Sequence, residues 1–405
     1  MLRVIHSSFA CDPTMGSEPY VGWKWAEMVS DFDYELHVVT RKHHRLNILK
    51  SGLLKNIKFH YFDLPFLSRL DHRSKLMKSY YLVWQTLVFP YVLLLHIKYR
   101  FNIVHHITYN NIDVPGFLWL LPGSKFLWGP VGEGQIPPAS LKKVYGVYWK
   151  KEVARKLLKS FARFNPVVRL AISKSSCVMF ANKDTYMLVE GVPQKYIFML
   201  ETAIEVKAEE KIEFRKKIDG HLNLLWVGRI EHRKALILAI DSLIELRKRG
   251  RLNNIKLDVV GDGPLMDDMK LYCKTNLMQD TIFFHGVVPF NEVAKFYKES
   301  DVFLFTSVQD TSGNVLLEAM KFGKPSIALK HQGAYEILEY GGGILVPVSG
   351  YMDTIYSFTD AIERFQDSRV FRLKLGEEAR NVLNSKFTWE QKSKKVKELY
   401  FEVLS

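Results

Sequence analysis

Short apolar runs alternate with helical periodicity twice along this chain, and that alternation restricts the fold more than any other feature. In the first half, runs at 3–8, 34–40, 57–63, 103–108 and 125–129 read as strands, with a helical pattern over 20–29. In the second half, runs at 223–228, 256–261, 281–285, 301–305 and 325–329 are separated by helical patterns over 235–249, 265–275, 291–299 and 314–322. Strands that alternate with helices form parallel sheets with both faces covered. The expected fold class is therefore α/β, with two doubly wound, Rossmann-like domains. A chain of 405 residues has room for both. Patterning lapses between 191 and 212, so the domains are placed at 1–205 and 206–385, followed by a charged amphipathic helix within 386–405. Two such domains bind ligand in the crevice outside the carboxyl ends of their strands.

Composition narrows the function classes. Three cysteines, Cys11, Cys177 and Cys273, are far apart and include no C-x-x-C pair, which argues against a disulfide framework or a cysteine-rich zinc site. The first residues run straight into a strand, with an apolar stretch too short for a signal peptide, so a cytoplasmic setting is expected. Net charge is +14, which suits phosphorylated ligands, an anionic membrane or nucleic acid. No zinc-finger spacing, RNP-type strand or arginine-rich arm is present, so nucleic acid is not an expected partner. The apolar stretch 80–97 is near the minimum length of a membrane span. It contains Gln85, Thr86 and Pro90 and ends in His96 and Lys98, so a buried core helix is expected.

The second half carries the residues suited to an anion. Gly228-Arg229 ends a strand, and Lys234 follows just before a helix. Gly228 allows a close turn. Arg229 grips phosphate oxygens in a fork, and Lys234 adds a point charge; a solvated basic turn is the competing reading. Gly261-Asp262-Gly263-Pro264 occupies the same place after the next strand and lacks the G-x-G-x-x-G dinucleotide fingerprint. After a further strand, Asp310 and Glu318 flank Ser312-Gly313-Asn314. That triplet starts a helix, where free N–H groups and the dipole attract phosphate. Glu318 falls roughly 6–8 Å along the helix axis. The spacing suits phosphates at the helix start, a ribose beside Glu318 and a sugar near Asp310.

Taken in order, these elements resemble the family-4 glycosyltransferases of GT-B fold. The carriers are Val227-Gly228-Arg229 with Lys234, then Gly261-Asp262-Gly263-Pro264, Phe284-His285-Gly286, the acid-x₇-acid element ending Leu317-Glu318-Ala319-Met320, and Gly323-Lys324-Pro325. Asp310 stands where the family usually has Glu. In the first half, Gly16-Ser17-Glu18-Pro19-Tyr20-Val21-Gly22-Trp23, His105-His106-Ile107-Thr108-Tyr109 and Trp128-Gly129-Pro130-Val131-Gly132 resemble a branch that builds bacterial surface polysaccharides.

The resemblance implies two domains facing each other across a cleft, with the last helix packing back on the first. It implies retention of anomeric configuration by front-face attack, without a protein nucleophile. Arg229, Lys234, Asp310 and His106 are the implied catalytic residues, His106 being favoured over His105 as the one facing the sugar; a core histidine is the competing reading. The implied donor site adds Gly16, Gly228, Gly263, His285, Gly286, Ser312, Gly313, Asn314 and Glu318. Base recognition is expected near His285-Gly286. The implied donor is a UDP- or GDP-linked sugar, and the acceptor a saccharide or lipid-linked saccharide. Glu133 either touches the acceptor or is solvated. Asp31-Phe32-Asp33 fits the metal-binding D-x-D pattern but falls at the amino edge of the sheet, so it reads as a turn; no metal and no cofactor are expected.

Residues 140–174 hold ten Lys/Arg against one acid, Glu152, with Tyr145, Tyr148, Trp149, Phe161 and Phe164 among them. Such a segment either lies on an anionic membrane surface as a peripheral contact or is a solvated helix. Two other readings share the same residues: a sugar-nucleotide epimerase of this fold, and a non-catalytic binder of nucleotide sugars or polyanions.

Overall fold

A computed structural model describes residues 2–52, 57–65, 76–206 and 221–405. The chain divides into two compact units. One comprises Met1–Gly134, Leu157–Thr202 and Lys392–Ser405; the other comprises Gln135–Lys156 and Ala203–Gln391. The chain enters the second unit at Gly134/Gln135, leaves it at Lys156/Leu157, re-enters at Thr202/Ala203 and leaves again at Gln391/Lys392. The sequence reading gave no sign that Gln135–Lys156 leaves the first unit. Its Leu141, Val144 and Tyr145 are buried in the hydrophobic core of the second.

The first unit holds a sheet of β1 (Leu2–Ser7), β2 (Tyr34–Thr40), β3 (Ile57–Tyr61), β4 (Ile103–His106), β5 (Lys125–Val131), β6 (Ser175–Phe180) and β7 (Tyr196–Phe198). Its spatial order is β3-β2-β1-β4-β5-β6-β7, and every pairing is parallel. The second unit holds β8 (Leu222–Val227), β9 (Ile255–Val260), β10 (Ile282–Gly286), β11 (Val302–Phe305), β12 (Ser326–Leu329) and β13 (Gly343–Val346). Its order is β10-β9-β8-β11-β12-β13, again parallel. Strand order reverses between β1 and β4 in one sheet and between β8 and β11 in the other. Open α/β sheets place ligands at such a switch point. β6, β7 and β13 are additions to the sequence reading.

Parallel sheets carry helices on both faces, and the first unit shows what this does to β4. His105 and His106 point to opposite faces, as strand alternation requires. His105 meets the last helix, Trp389–Leu404, and its Nδ1 lies 2.7 Å from the Tyr400 hydroxyl. His106 meets helix Met77–Tyr99, and its Nε2 lies 2.9 Å from both Tyr81 Oη and Gln85 Nε2.

Helix Met77–Tyr99 is long and apolar enough to cross a membrane. It was expected to be a buried core helix, but only one face is buried. Met77, Tyr80, Tyr81, Trp84, Gln85, Val88 and Val92 face the core, while Leu82, Val83, Leu94 and Ile97 are exposed. Asp31, Phe32 and Asp33 form the turn leading into β2.

Candidate functional site

The second unit gathers most of the expected donor residues at its β8/β11 switch point. Backbone packing fixes the loops first. Gly228 N–H donates to Val260 O. Gly261 has φ +129°, and a Cβ there would sit 1.9 Å from Gly228 O. A Cβ on Gly263 would sit 2.3 Å from Ile230 O, and Ile230 N–H donates to Asp262 O. The loops after β8 and β9 therefore lie backbone against backbone. Gly263 was expected to touch the donor; its missing side chain makes room for Ile230.

Lys234 comes out of the first of these loops. It is held at its carbonyl by Thr306 Oγ1–H (2.9 Å), and Thr306 in turn accepts from Trp226 Nε1–H at 2.9 Å. The Lys234 ammonium is paired with the Asp310 carboxylate, and both side chains are largely buried. Asp310 Oδ1 also accepts the Gly313 N–H at 3.2 Å. Burial alone would raise the Asp310 carboxyl. Lys234, Arg233 and the Gly313 N–H outweigh burial and hold it below its usual range. Asp310 is thus a buried anchor for Lys234 and the loop, a role the sequence reading did not assign it.

Helix Asn314–Lys321 starts from Gly313, whose φ is +59° and which has no side chain to cap the first turn. The partial positive charge of that turn is available to an anion. Ser312 is buried beside it and Asn314 is exposed. Arg229 is the exposed cation of the set. Its side chain is 67% exposed and approaches Glu231 at 3.5 Å. Exposed pairs of this kind contribute about 0–1 kcal/mol, so Arg229 can leave Glu231 for a phosphate. Glu318 sits within the helix. Its Oε2 accepts from the Tyr297 hydroxyl at 3.0 Å, and burial raises its carboxyl.

His285 and Gly286 lie apart from this cluster, on edge strand β10, two strands from β8. Neighbouring strands are about 4.8 Å apart, so the offset is roughly 10 Å. His285 Nε2 is 2.7 Å from Asp258 Oδ1, and its ring tilts against Phe296 at 4.6 Å. Gly286 has φ +68° and open space beside its Cα.

The first unit holds the remaining residues. Gly16 has open space around it. Ser17, next to it, has φ +59°, and helix Glu18–Ser30 follows. Glu18 Oε1 accepts the Tyr109 N–H at 2.6 Å, and Tyr109 also has a positive φ, +59°. Burial, with Glu133 adding, raises the Glu18 carboxyl. Glu133 is exposed with φ +65°. Three side-chain-bearing residues in left-handed conformation thus follow β1, β4 and β5, and such strain tends to collect at functional positions.

His106 departs from expectation. It was expected to face the sugar, but it is 1% exposed, with Tyr81 and Gln85 on its Nε2. Burial depresses its pKa to about 4. A helix covers each face of β4, and both His105 and His106 are buried beneath these helices. Sequence reasoning also missed Glu18, Gln135, Gln309 and Gln332 at the loops around these sites. Glu18 alone had a signal, as an acid at a helix start after a glycine loop.

Residues 208–382 match the family described as glycosyl transferases group 1. This stretch contains β8 through β13 and every switch-point residue of the second unit. Among curated proteins, the chain is 33% identical over 127 residues to the alpha-monoglucosyldiacylglycerol synthase of Streptococcus pneumoniae, covering 31% of this chain and 28% of that one. Two uncharacterized glycosyltransferases of Methanocaldococcus jannaschii match at 28% and 25% identity, over 50% and 60% of their lengths. The chain therefore spans less than two thirds of these curated relatives.

Likeness to solved structures extends over the whole chain. The sucrose-phosphate synthase of Thermosynechococcus elongatus superposes with a TM-score of 0.64 at 17% identity, covering 100% of this chain and 99% of that one. Anabaena HepE, solved with UDP and glucose, gives 0.60 at 11% identity over 99% and 100%. At such identities the likeness shows the fold, which is GT-B with two Rossmann-like domains.

Proposed function

We propose that this chain is a retaining glycosyltransferase that moves a sugar from a UDP- or GDP-linked donor to a saccharide or lipid-linked saccharide in surface polysaccharide synthesis. The observation that carries the reading is the convergence of Arg229, Lys234 and the start of helix Asn314–Lys321 on one switch point, inside the segment that matches the family. HepE, of the same fold, was solved with UDP and glucose.

In this reading the donor diphosphate rests on the first turn of helix Asn314–Lys321. Arg229 exchanges its loose contact with Glu231 for phosphate oxygens. Lys234 stays on Asp310 and directs its remaining N–H donors at the ligand. Glu318 accepts from a ribose hydroxyl. As the glycosidic bond breaks, negative charge builds on the departing diphosphate. Donors already in place stabilise that charge without reorganising. Each charge-assisted hydrogen bond contributes about 1.5–3 kcal/mol. These groups supply the countercharge, so the reading assigns no metal and no cofactor. The acceptor hydroxyl attacks from the face the leaving group vacates, its proton passing to a phosphate oxygen. His106 has no place in these steps.

The reading places the enzyme on the cytoplasmic side, in contact with an anionic membrane. Within the first unit, Leu157, Leu158, Phe161, Phe164 and Leu170 are 51–72% exposed, and Arg163 and Arg169 lie among them in sequence. Apolar side chains set among cations suit the headgroup boundary of an anionic bilayer. Sedimentation with neutral and anionic vesicles tests this contact: anionic vesicles should bind more, and equal binding contradicts it.

Transfer is tested by incubating the protein with UDP- and GDP-sugars and a membrane extract, alongside Arg229→Ala. The unsubstituted protein should move labelled sugar to an extractable product with the anomeric configuration kept, and Arg229→Ala should not. Equal transfer by a folded Arg229→Ala protein, or an inverted product, contradicts the reading.

A further inference from the structure

Residues 135–148 come from the first half of the sequence but fold into the second unit, where they touch both loops of its switch point. The contacts to the Asp310 loop are made by buried glutamine amides. Gln332 is 5% exposed and has φ +49°. Its Oε1 accepts the Asp310 N–H at 3.0 Å, and its Nε2 donates to Ile136 O at 2.9 Å. One side chain therefore joins the segment to the residue that anchors Lys234. Gln309, 6% exposed, repeats the arrangement one residue earlier. Its Nε2 donates to Gln135 O at 3.3 Å, and its Oε1 accepts from the Tyr145 hydroxyl at 3.4 Å. Gln135, 4% exposed, donates from Nε2 to Thr311 Oγ1.

The other loop is held as well. His232, midway between Arg229 and Lys234, donates from Nδ1 to Val144 O at 2.9 Å, and the Tyr145 ring stacks on it at 5.9 Å. A left-handed, side-chain-bearing residue such as Gln332 is costly and persists only where its surroundings over-determine it. The two amide bonds of Gln332 are what its conformation secures.

We propose that residues 135–145 are a strap that positions the two anion-holding loops, with Gln135, Gln309 and Gln332 as positioning residues that never touch the nucleotide. The proposal rests on the nucleotide-sugar reading above. The strap fixes the Asp310–Gly313 turn, and with it the Lys234 ammonium and the helix start, before ligand arrives. Preorganisation of this kind appears as ligand affinity, because loops already ordered lose less freedom on binding.

Calorimetric titration with UDP and GDP, paired with thermal melts, tests it. Methionine is close to glutamine in volume and lacks the amide, so Gln332→Met and Gln135→Met keep packing while removing the bonds. Gln332→Met should weaken affinity for whichever nucleotide the unsubstituted protein binds by about tenfold, equivalent to about 1.4 kcal/mol. Gln135→Met and Thr311→Val should each weaken it by about threefold, and Thr311→Ser, which keeps the hydroxyl, should restore it. If Gln332→Met does not fold, the Gln135 and Thr311 variants decide. Affinities within twofold of the unsubstituted protein, whatever the melts show, overturn the strap alone. An unsubstituted protein that binds neither nucleotide overturns the nucleotide-sugar reading and the strap with it.

Discussion

The ammonium of Lys234 and the carboxylate of Asp310, 76 residues apart in sequence, form a largely buried ion pair at the point where the strand order of the second sheet reverses. Each residue of the pair makes a further hydrogen bond. Lys234 offers its carbonyl to Thr306 Oγ1–H, and Asp310 accepts the Gly313 N–H. The pair therefore couples the cation to the helix start.

Asp310→Ala leaves Lys234 buried without its counter-ion and frees the Gly313 turn. Loss of one partner from a buried pair costs about 3–5 kcal/mol. Urea unfolding of Asp310→Ala should show a loss near the lower end, since both side chains keep some exposure. Asp310→Glu keeps the charge and should retain most of the stability. Equal stability for Asp310→Ala and the unsubstituted protein contradicts the anchoring role.

Glycine positions separate close packing from open space. Gly263→Ala would bring a Cβ to 2.3 Å from Ile230 O, and Gly16→Ala meets nothing within 4 Å. Overpacking of this type costs typically about 1–3 kcal/mol. Thermal melts should show a clear drop for Gly263→Ala and none for Gly16→Ala. The Gly263 variant should also lose nucleotide affinity, because the Arg229 loop rests on that backbone.

Tyr400 joins two buried histidines in the first unit. His105 Nε2–H donates to Gly129 O, so its Nδ1 accepts from the Tyr400 hydroxyl. The same oxygen then accepts from His6 Nε2–H at 3.0 Å. Tyr400→Phe leaves two buried ring nitrogens unpaired, at about 1–3 kcal/mol each. Denaturant unfolding should show a loss of about 2–6 kcal/mol, the two added together. An unchanged midpoint contradicts the network.

Acid should destabilise the first unit through its histidines. Burial lowers His6 to about 3, His106 to about 4 and His105 well below its usual value. Their folded pKa values lie below the unfolded value near 6.5. The unfolded chain therefore binds more protons between about pH 6.5 and 4, and stability falls as pH drops through that window. Lys392 adds a separate window. Burial lowers it from 10.5 to about 7, so its share of stability is lost as pH falls from about 10 to 7. The Tm of Lys392→Met should be flatter than that of the unsubstituted protein over the upper window and should still fall below pH 6.5.

The second sheet was largely legible in the sequence, since strand, glycine turn and helix recur there with little interruption. Arg229, Lys234, Asp310, Gly313 and Glu318 were readable as an ordered set, and the fold brings four of them to one switch point, with Glu318 further along the same helix. Other features left no pattern to read. β6 begins with two serines after a long basic run, and β7 has three residues. Left-handed backbone at Ser17, Tyr109 and Gln332 has no marker in side chains that rarely adopt it. His106 was misjudged because strand alternation gives the face but not the helix that covers it. The glutamines of the strap escaped notice because an amide acquires meaning only from the two partners it spans.

The most direct test is calorimetric titration of UDP and GDP into the full chain and into Arg229→Ala. Arg229 is exposed and no core contact depends on it, so the variant should melt with the unsubstituted protein. The account predicts saturable, salt-sensitive binding of one nucleotide to the unsubstituted protein and a loss of at least about tenfold in Arg229→Ala, about 1.4 kcal/mol. Equal binding by the two proteins, or no binding of either nucleotide to the unsubstituted chain, would contradict the claim that the second unit holds a nucleotide diphosphate.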